Sequence, residues 1–275
     1  MKHHIVSYLG PEATFTHTAT KRHFGEHAKL NPCRNIPEIF KQVEVGHSVY
    51  GVVPIENSIE GMVSHTLDSF MNTKLSICAE VTLPISHHLL SRSGRLENIT
   101  KIYSHPQALA QCHNWINNNL PNARLIDVSS TAEGALKVLE NVDRDSAAVA
   151  SDFAATTYNL HIAATNIEDV SNNITRFLVI GQEHPELTGN DRTSIMFALK
   201  NQPGILYRAL EPFAKHGINM SRIESRPSPD RIWDYLFFID LEGHRSETKI
   251  SEAINELRST CEFVKILGSY PRPTK

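Results

Sequence analysis

The chain has 275 residues, with 27 Lys+Arg against 30 Asp+Glu, a balance of −3 with fifteen His counted neutral. Hydrophobic content of 40% and charge of 21% fit a folded protein of one large or two ordinary domains and exclude a disordered one. The near-neutral balance argues against a general nucleic-acid binder, and no apolar run approaches the roughly 20 residues that span a bilayer. Gly10-Pro11 cuts the apolar stretch Ile5 to Leu9 too short for a signal peptide, so a cytoplasmic protein is expected. Cys33, Cys78, Cys112 and Cys261 are widely spaced with no C-x-x-C, which reads as reduced, buried or half-buried thiols. No metal site is expected, because the His pairs are adjacent and no H-E-x-x-H occurs.

Ile5 to Leu9 reads as a strand, then Gly10-Pro11, then a helix capped by Thr14 or Glu12 and running to Phe24. Pro37 to Val45 has helical spacing, and Tyr50 to Ile55 reads as a strand buried on both faces. The alternation continues with a strand at Ile102 to Ser104, a helix Gln107 to Asn117, and a strand Arg124 to Val128. A helix Thr131 to Leu139, a strand Ala147 to Ala150 and a helix Phe153 to Tyr158 follow. Such alternation predicts an α/β fold with a mostly parallel sheet.

Gln182 to Asp191 is polar and aperiodic, with Pro185 and Gly189, and reads as a linker. Beyond it, strands at Thr193 to Leu199, Asn219 to Glu224, Tyr235 to Leu241 and Phe263 to Leu267 enclose helices Ile205 to His216 and Glu247 to Leu257. The order βαββαβ is that of a ferredoxin-like unit. The two prolines in Pro271 to Lys275 predict a frayed end.

Four polar stretches follow directly on strand patterns: Gly10 to Phe15, Pro54 to Ser58, Ser104 to Gln107 and Ser129 to Glu133. Ligands in open α/β sheets sit beyond the carboxyl ends of strands, where helix N-termini and hydroxyls bind anions. Each Ser, Thr or Asn alone is most simply a helix cap. Four together point to a site for a small, multiply charged carboxylate. A fifth stretch, Asn172 to Leu178 (NNITRFL), sets a hydroxyl beside a guanidinium just before an apolar strand.

Residues 5 to about 180 resemble a prephenate dehydratase domain through YLGPEATF, VPIENS, SHPQALAQC, SSTAEGA and, most specifically, NNITRF. Residues 193 to 270 resemble the ACT regulatory domain of that enzyme through Gly204-Ile205-Leu206-Tyr207 and Glu224-Ser225-Arg226-Pro227. Two departures stand out: Ala13 where the family usually has Gly, and Gly-Ile-Leu-Tyr where it usually has Gly-Ala-Leu-Val. The resemblance implies a two-lobed α/β catalytic domain like type 2 periplasmic binding proteins over 1–182, a linker over 183–192 and an ACT domain over 193–275. Lobe crossings are expected near Ala79 to Pro84 and Ala163 to Ile167. With the first strand at Ile5, a monofunctional dehydratase without a preceding chorismate mutase domain is expected.

The family converts prephenate to phenylpyruvate, losing water and carbon dioxide, with aromatisation as the driving force and no cofactor or metal. The resemblance makes Thr175 the catalytic residue, a hydrogen-bond donor to the departing hydroxyl. It implies substrate binding by Arg176, Phe177, Asn173, Thr14, Glu56, Asn57, Ser58, Ser104, Gln107 and Thr131. Arg176 or the helix starts near Thr14 and Thr131 would clamp the pyruvyl carboxylate, and Phe177 would supply apolar wall for the carboxylate that is lost. Glu56, were burial to raise its pKa, would be a proton source; His105 is a second candidate. The effector implied is phenylalanine, held by Gly204, Ile205, Leu206, Asn219, Glu224, Ser225, Arg226 and Pro227, in a homodimer or homotetramer. Arogenate dehydratase is the near alternative, and a non-catalytic two-lobed carboxylate sensor the distant one.

Overall fold

The structure is a computed structural model that describes residues 4–141, 145–227 and 235–273. The first elements are β1 (Ile5–Leu9), α1 (Phe15–Phe24), β2 (Lys29–Cys33), α2 (Ile36–Glu44), β3 (Tyr50–Asn57), β4 (Gly61–Met62), α3 (Ser64–Asn72) and β5 (Ser76–Pro84). Next come β6 (His88–Ser91), β7 (Lys101–Ser104), α4 (Pro106–Gln111), α5 (His113–Asn119), β8 (Arg124–Asp127), α6 (Thr131–Glu140), β9 (Ser146–Ala150), α7 (Asp152–Thr157) and β10 (His161–Ala164). The chain ends with β11 (Ile174–Gly181), β12 (Asp191–Ala198), α8 (Ile205–Lys215), β13 (Met220–Pro227), β14 (Tyr235–Glu242), α9 (Thr248–Thr260) and β15 (Phe263–Pro271). Two compact units form, one from Met1–Met71 with Val81–Phe177 and the other from Asn72–Glu80 with Leu178–Lys275.

The first sheet has the order β2-β1-β3-β11-β5, with β4 added to β3. β1 runs parallel to both β2 and β3. The sequence reading passes over β2, which has few apolar residues and holds Pro32, a residue tolerated at a sheet edge. The second sheet has the order β10-β6-β9-β7-β8, parallel at β8-β7-β9 and antiparallel at β9-β6-β10. The expectation of a mostly parallel sheet is therefore corrected to mixed sheets. The antiparallel pairing comes from β6, which leads to β7 through residues 92–100 with no helix between; β10, reached from β9 through α7, pairs antiparallel with β6.

The entering segment spans residues 85–87, just beyond the expected Ala79 to Pro84, because β5 continues through Pro84. The returning one spans 165–173. They touch: the Ile85 N–H donates to the Asn173 carbonyl at 2.8 Å. The single helix expected over Gln107 to Asn117 is two, α4 and α5, parted at Cys112 (φ −113°, ψ 11°). Helix α6 lies close on β7, since a Cβ on Gly134 would come within 2.8 Å of the Tyr103 carbonyl oxygen. Buried Ala132, Ala135 and Val138 complete that contact.

In the second unit the sheet order is β13-β14-β12-β15, antiparallel at every pairing. Ile195, Phe197, Ile239 and Leu241 pack on Phe213, Ile250, Ile254 and Leu257 of α8 and α9. By strand alternation Ser194 and Met196 face away from those helices. The segment Asn72–Glu80 reaches this sheet: a Cβ on Gly268 would stand 2.3 Å from the Ile77 carbonyl oxygen. Lys265 donates to the Thr73 carbonyl and Arg192 pairs with buried Glu80. In the stretch expected as a linker, the Asp191 carboxylate accepts from the Thr188 and Gly189 N–H groups, both at 2.9 Å. The expected frayed end is held in part: Pro271 closes β15, and Arg272 donates to the Asn190 carbonyl at 2.9 Å and pairs with Glu242 at 3.0 Å. Thr274 and Lys275 lie outside the described residues. The four cysteines are free thiols, three buried and Cys261 half-buried, and burial pushes the Cys78 and Cys261 thiols up to about 12. No helix among the described residues is long and apolar enough to cross a membrane.

Candidate active site

Within the first unit, a cavity of about 420 Å³ is bordered by three helix starts and by β11. At α1, Thr14 is the N-cap; its oxygen accepts from the His17 N–H at 3.3 Å and its hydroxyl donates to the Leu9 carbonyl at 2.8 Å. Ala13 just before it is left-handed (φ +64°), a strained position for a residue with a Cβ, and its buried methyl and an N–H bond to His17 Nδ1 (2.9 Å) hold it there. At α4 the cap is His105, whose Nδ1 accepts from the Gln107 N–H at 3.3 Å. At α6, Ser130 caps the Glu133 N–H (3.0 Å) while Glu133 reaches back to the N–H of Ser129, one residue before the cap (2.9 Å), a relative of the capping box. Hydrogen bonds from Ser129 lower the Glu133 pKa. These three starts aim free N–H groups at one space and favour bound anions there.

Thr175 and Phe177 line the cavity from β11. The Asn57 amide nitrogen on β3 donates to Thr175 Oγ1 at 2.8 Å and to Asn173 Oδ1 at 2.7 Å. The Asn57 orientation is forced, because its Oδ1 already accepts from the Ile59 and Glu60 N–H groups at 3.0 and 3.1 Å. Thr175 therefore accepts from Asn57. Its own hydroxyl hydrogen has no acceptor among the described residues and is available to the cavity. Asn173 in turn donates to Gln111 Oε1 at 3.1 Å, and His87 Nε2 lies 3.0 Å from the same oxygen. Burial lowers the His87 pKa, which keeps the ring neutral near pH 7, and an N–H facing that carbonyl oxygen places its proton on Nε2.

Of the residues expected at the site, Thr175, Phe177, Asn173, Thr14, Asn57, Gln107 and Thr131 line the cavity. Arg176, Glu56, Ser58 and Ser104 do not. Alternation along β3 and β11 turns Arg176 and Glu56 to the other side of the sheet, where they pair at 2.8 Å. The expected carboxylate clamp and proton source are thus bonded to each other away from the cavity. Ser58 accepts from the Ile174 N–H at 2.9 Å, and buried Ser104 donates to the Val149 carbonyl at 2.6 Å, so both fasten backbone. No lysine or arginine is among the described lining residues. The sequence reading missed Glu60, His87 and Gln111 as lining groups, while Phe15, Ser129 and Ser130 line the cavity from stretches it had marked without naming them as binding residues. For Gln111 a signal existed, since it stands one helical spacing (i, i+4) after Gln107.

Residues 6–185 match the prephenate dehydratase family, and residues 193–259 match the ACT domain. The chain belongs to the prephenate dehydratase family. The bifunctional chorismate mutase/prephenate dehydratase of Aquifex aeolicus is 51% identical over 97% of this chain and 73% of its own length. The prephenate dehydratase of Methanocaldococcus jannaschii is 39% identical over 97% of both chains. The crystal structure of prephenate dehydratase from Arthrobacter aurescens in complex with L-Phe superposes with a TM-score of 0.90 at 36% identity, over 98% of this chain and 90% of that one.

In the ACT domain, Gly204 precedes α8 at φ +72° with no side-chain cap, and Ile205 and Leu206 open the helix half-buried. Asn219 lies just before β13, and its carbonyl accepts from the Glu242 N–H at 3.0 Å. Glu224, Ser225, Arg226 and Pro227 form the second half of β13, the strand at the end of the sheet order. Alternation puts Glu224 and Arg226 on one face and Ser225 on the other.

Proposed function

We propose that this dehydratase converts prephenate to phenylpyruvate, with Thr175 as the donor to the departing hydroxyl. The observation that carries the role of Thr175 is the direction of its hydrogen bond: its oxygen is occupied by Asn57, so its hydrogen is free to meet developing negative charge. A preorganised donor of this kind is worth roughly 10²–10³ in rate. The proton consumed as water leaves comes from a group that lines the cavity. His105 lines the cavity, and its Nε2 can give up a proton only from the doubly protonated ring, which releases the Gln107 bond at Nδ1 and is left neutral after the transfer. Thr14, Thr131 and the starts of α1 and α6 receive the pyruvyl carboxylate, in place of Arg176. Phe177, with Leu9 and Val63, gives the leaving carboxylate an apolar wall that does not hold it back.

The catalytic domain spans 1–182 and the ACT domain 193–275, joined by 183–192. Phenylalanine acts as feedback effector through Gly204 to Leu206, Asn219 and Glu224 to Pro227; the L-Phe complex of the Arthrobacter relative supports this. The edge position of β13 supports association of copies through the ACT domain. The test runs prephenate and arogenate side by side with the purified chain, with and without phenylalanine. Phenylpyruvate formed from prephenate and suppressed by phenylalanine supports the reading. Turnover of arogenate alone reassigns the substrate, and no turnover of either sinks the enzyme assignment.

A further inference from the structure

Glu60 lies in the turn between β3 and β4, on the first sheet's side of the cavity. Its two carboxylate oxygens accept from two amides of α4, on the second sheet's side: Gln107 Nε2 at 2.9 Å and Gln111 Nε2 at 3.0 Å. Gln107 and Gln111 stand one turn apart, so one carboxylate spans both. A carboxylate accepts and does not donate, so Gln111 must point its nitrogen at Glu60 and its oxygen away. That oxygen receives the Asn173 amide and His87 Nε2. Asn173 turns its own oxygen toward Asn57, the partner of Thr175, so Glu60 at one end and Asn57 at the other hold the same order of amides.

We propose that Glu60 is a positioning residue: from across the cavity it fixes the amide of Gln111, and through it the tautomer of His87 and the side chain of Asn173 that shares Asn57 with Thr175. The idea rests on the role given to Thr175 above for its effect on turnover. Its structural half, the tautomer of His87, stands without that role. Of the groups bonded to the Gln111 oxygen, His87 does not dictate its orientation, since a neutral imidazole can present either a proton or a lone pair at Nε2, while Asn173, turned by Asn57, sets the same orientation that Glu60 sets from the other end. Asn57, by contrast, is held independently by two backbone N–H groups, so loss of Glu60 loosens one end of the chain of amides and not both.

The test is Glu60→Gln in the full chain. The new side chain has the same length and can donate. With its amide nitrogen toward Gln111, the Gln111 amide reverses, so His87 must accept at Nε2 and carry its proton on Nδ1, and the Asn173 amide, now facing a second donor, must turn away from Gln111. Imidazole ¹⁵N spectra, with the His87 signal assigned by its loss in His87→Gln, should show Nε2 protonated in the parent protein and protonation moved toward Nδ1 in Glu60→Gln. In steady-state kinetics kcat should fall about 10-fold with KM changed far less, the pattern of an interaction felt in the transition state. An unchanged tautomer overturns the proposal, whatever the rate does. A switched tautomer with unchanged kcat overturns the link to turnover. Should Glu60→Gln not fold, Glu60→Ala replaces it: the acceptor is gone, and mixed tautomers are expected. A parent protein inactive on prephenate counts against the proposed function alone, because the spectra are read without substrate.

Discussion

Asn57 and Thr175, on the adjacent strands β3 and β11, share a hydrogen bond of 2.8 Å in which the amide donates and the hydroxyl accepts. This direction, forced by the turn that follows Asn57, turns an ordinary threonine into a donor aimed at the cavity. Thr175→Ala should lower kcat by roughly 10²-fold or more with a modest change in KM. Asn57→Asp is the sharper variant. A carboxylate there would draw the Thr175 hydrogen to itself, so kcat should fall by a similar factor with Thr175 still present. Steady-state kinetics on both variants checks this, and near-parental turnover in Asn57→Asp would remove the directional argument.

Arg176 gives a prediction that differs from the one its sequence context suggests. Paired with Glu56 and absent from the cavity lining, it should not set substrate affinity. Arg176→Lys should leave KM within about threefold of the parent, while denaturant titration shows a loss of about 1–3 kcal/mol, the scale of a hydrogen bond to a charged group. A large rise in KM with unchanged stability would return Arg176 to the substrate.

What the sequence could disclose follows from this. The strand-to-helix turns that carry Thr14, His105 and Thr131 were readable, because polar residues directly after buried strands mark the binding edge of an α/β sheet; Asn57 lies at that edge too, but in a turn from β3 into β4 rather than into a helix. The βαββαβ order of the second unit was readable from alternating periods. The facing of neighbours was not: Thr175 and Arg176 differ by one position, and a one-residue step along a strand changes side. Which side holds the cavity depends on how a second sheet approaches, and no local pattern encodes that. Glu60 and His87 escaped for a related reason, since one sits in a turn and the other in a segment between sheets, where no periodicity marks a face.

Acid should weaken the fold through its buried imidazoles. Burial is the largest cause of the lowered pKa of both His17 and His87; for His17 nearby Glu12 opposes it and Lys21 adds to it. In the unfolded chain these rings take up a proton below about pH 6.5, and in the folded protein only at lower pH. The unfolded state then holds more protons, so stability is fully present above about pH 6.5 and is lost as pH falls from there toward the folded values. Urea midpoints between pH 7.5 and 5.5 should drop, and His87→Gln should flatten the slope. A slope unchanged by His87→Gln would show that the ring is not the proton acceptor.

The contact of Gly268 with Ile77 leaves no room for a side chain. Gly268→Ala should therefore cost about 1–3 kcal/mol through forced backbone movement, seen as a lower Tm. Truncation near Glu183 removes the same partner of Asn72–Glu80, so the shortened chain should be less stable as well as insensitive to phenylalanine. Gly204→Val is a milder probe of the effector site. Valine is disfavoured at φ +72°, so the inhibitory concentration of phenylalanine should rise while uninhibited turnover stays nearly intact. Unaltered inhibition in this variant would place the effector elsewhere.

The most direct measurement is phenylpyruvate formation from prephenate by the parent protein, Thr175→Ala and Thr175→Ser under single-turnover conditions. The serine variant keeps a hydroxyl in reach of Asn57. The account predicts rapid formation by the parent, a chemical step slowed roughly 10²-fold or more in the alanine variant, and a rate in the serine variant much nearer the parent's. An alanine variant whose chemical step matches the parent's would contradict it.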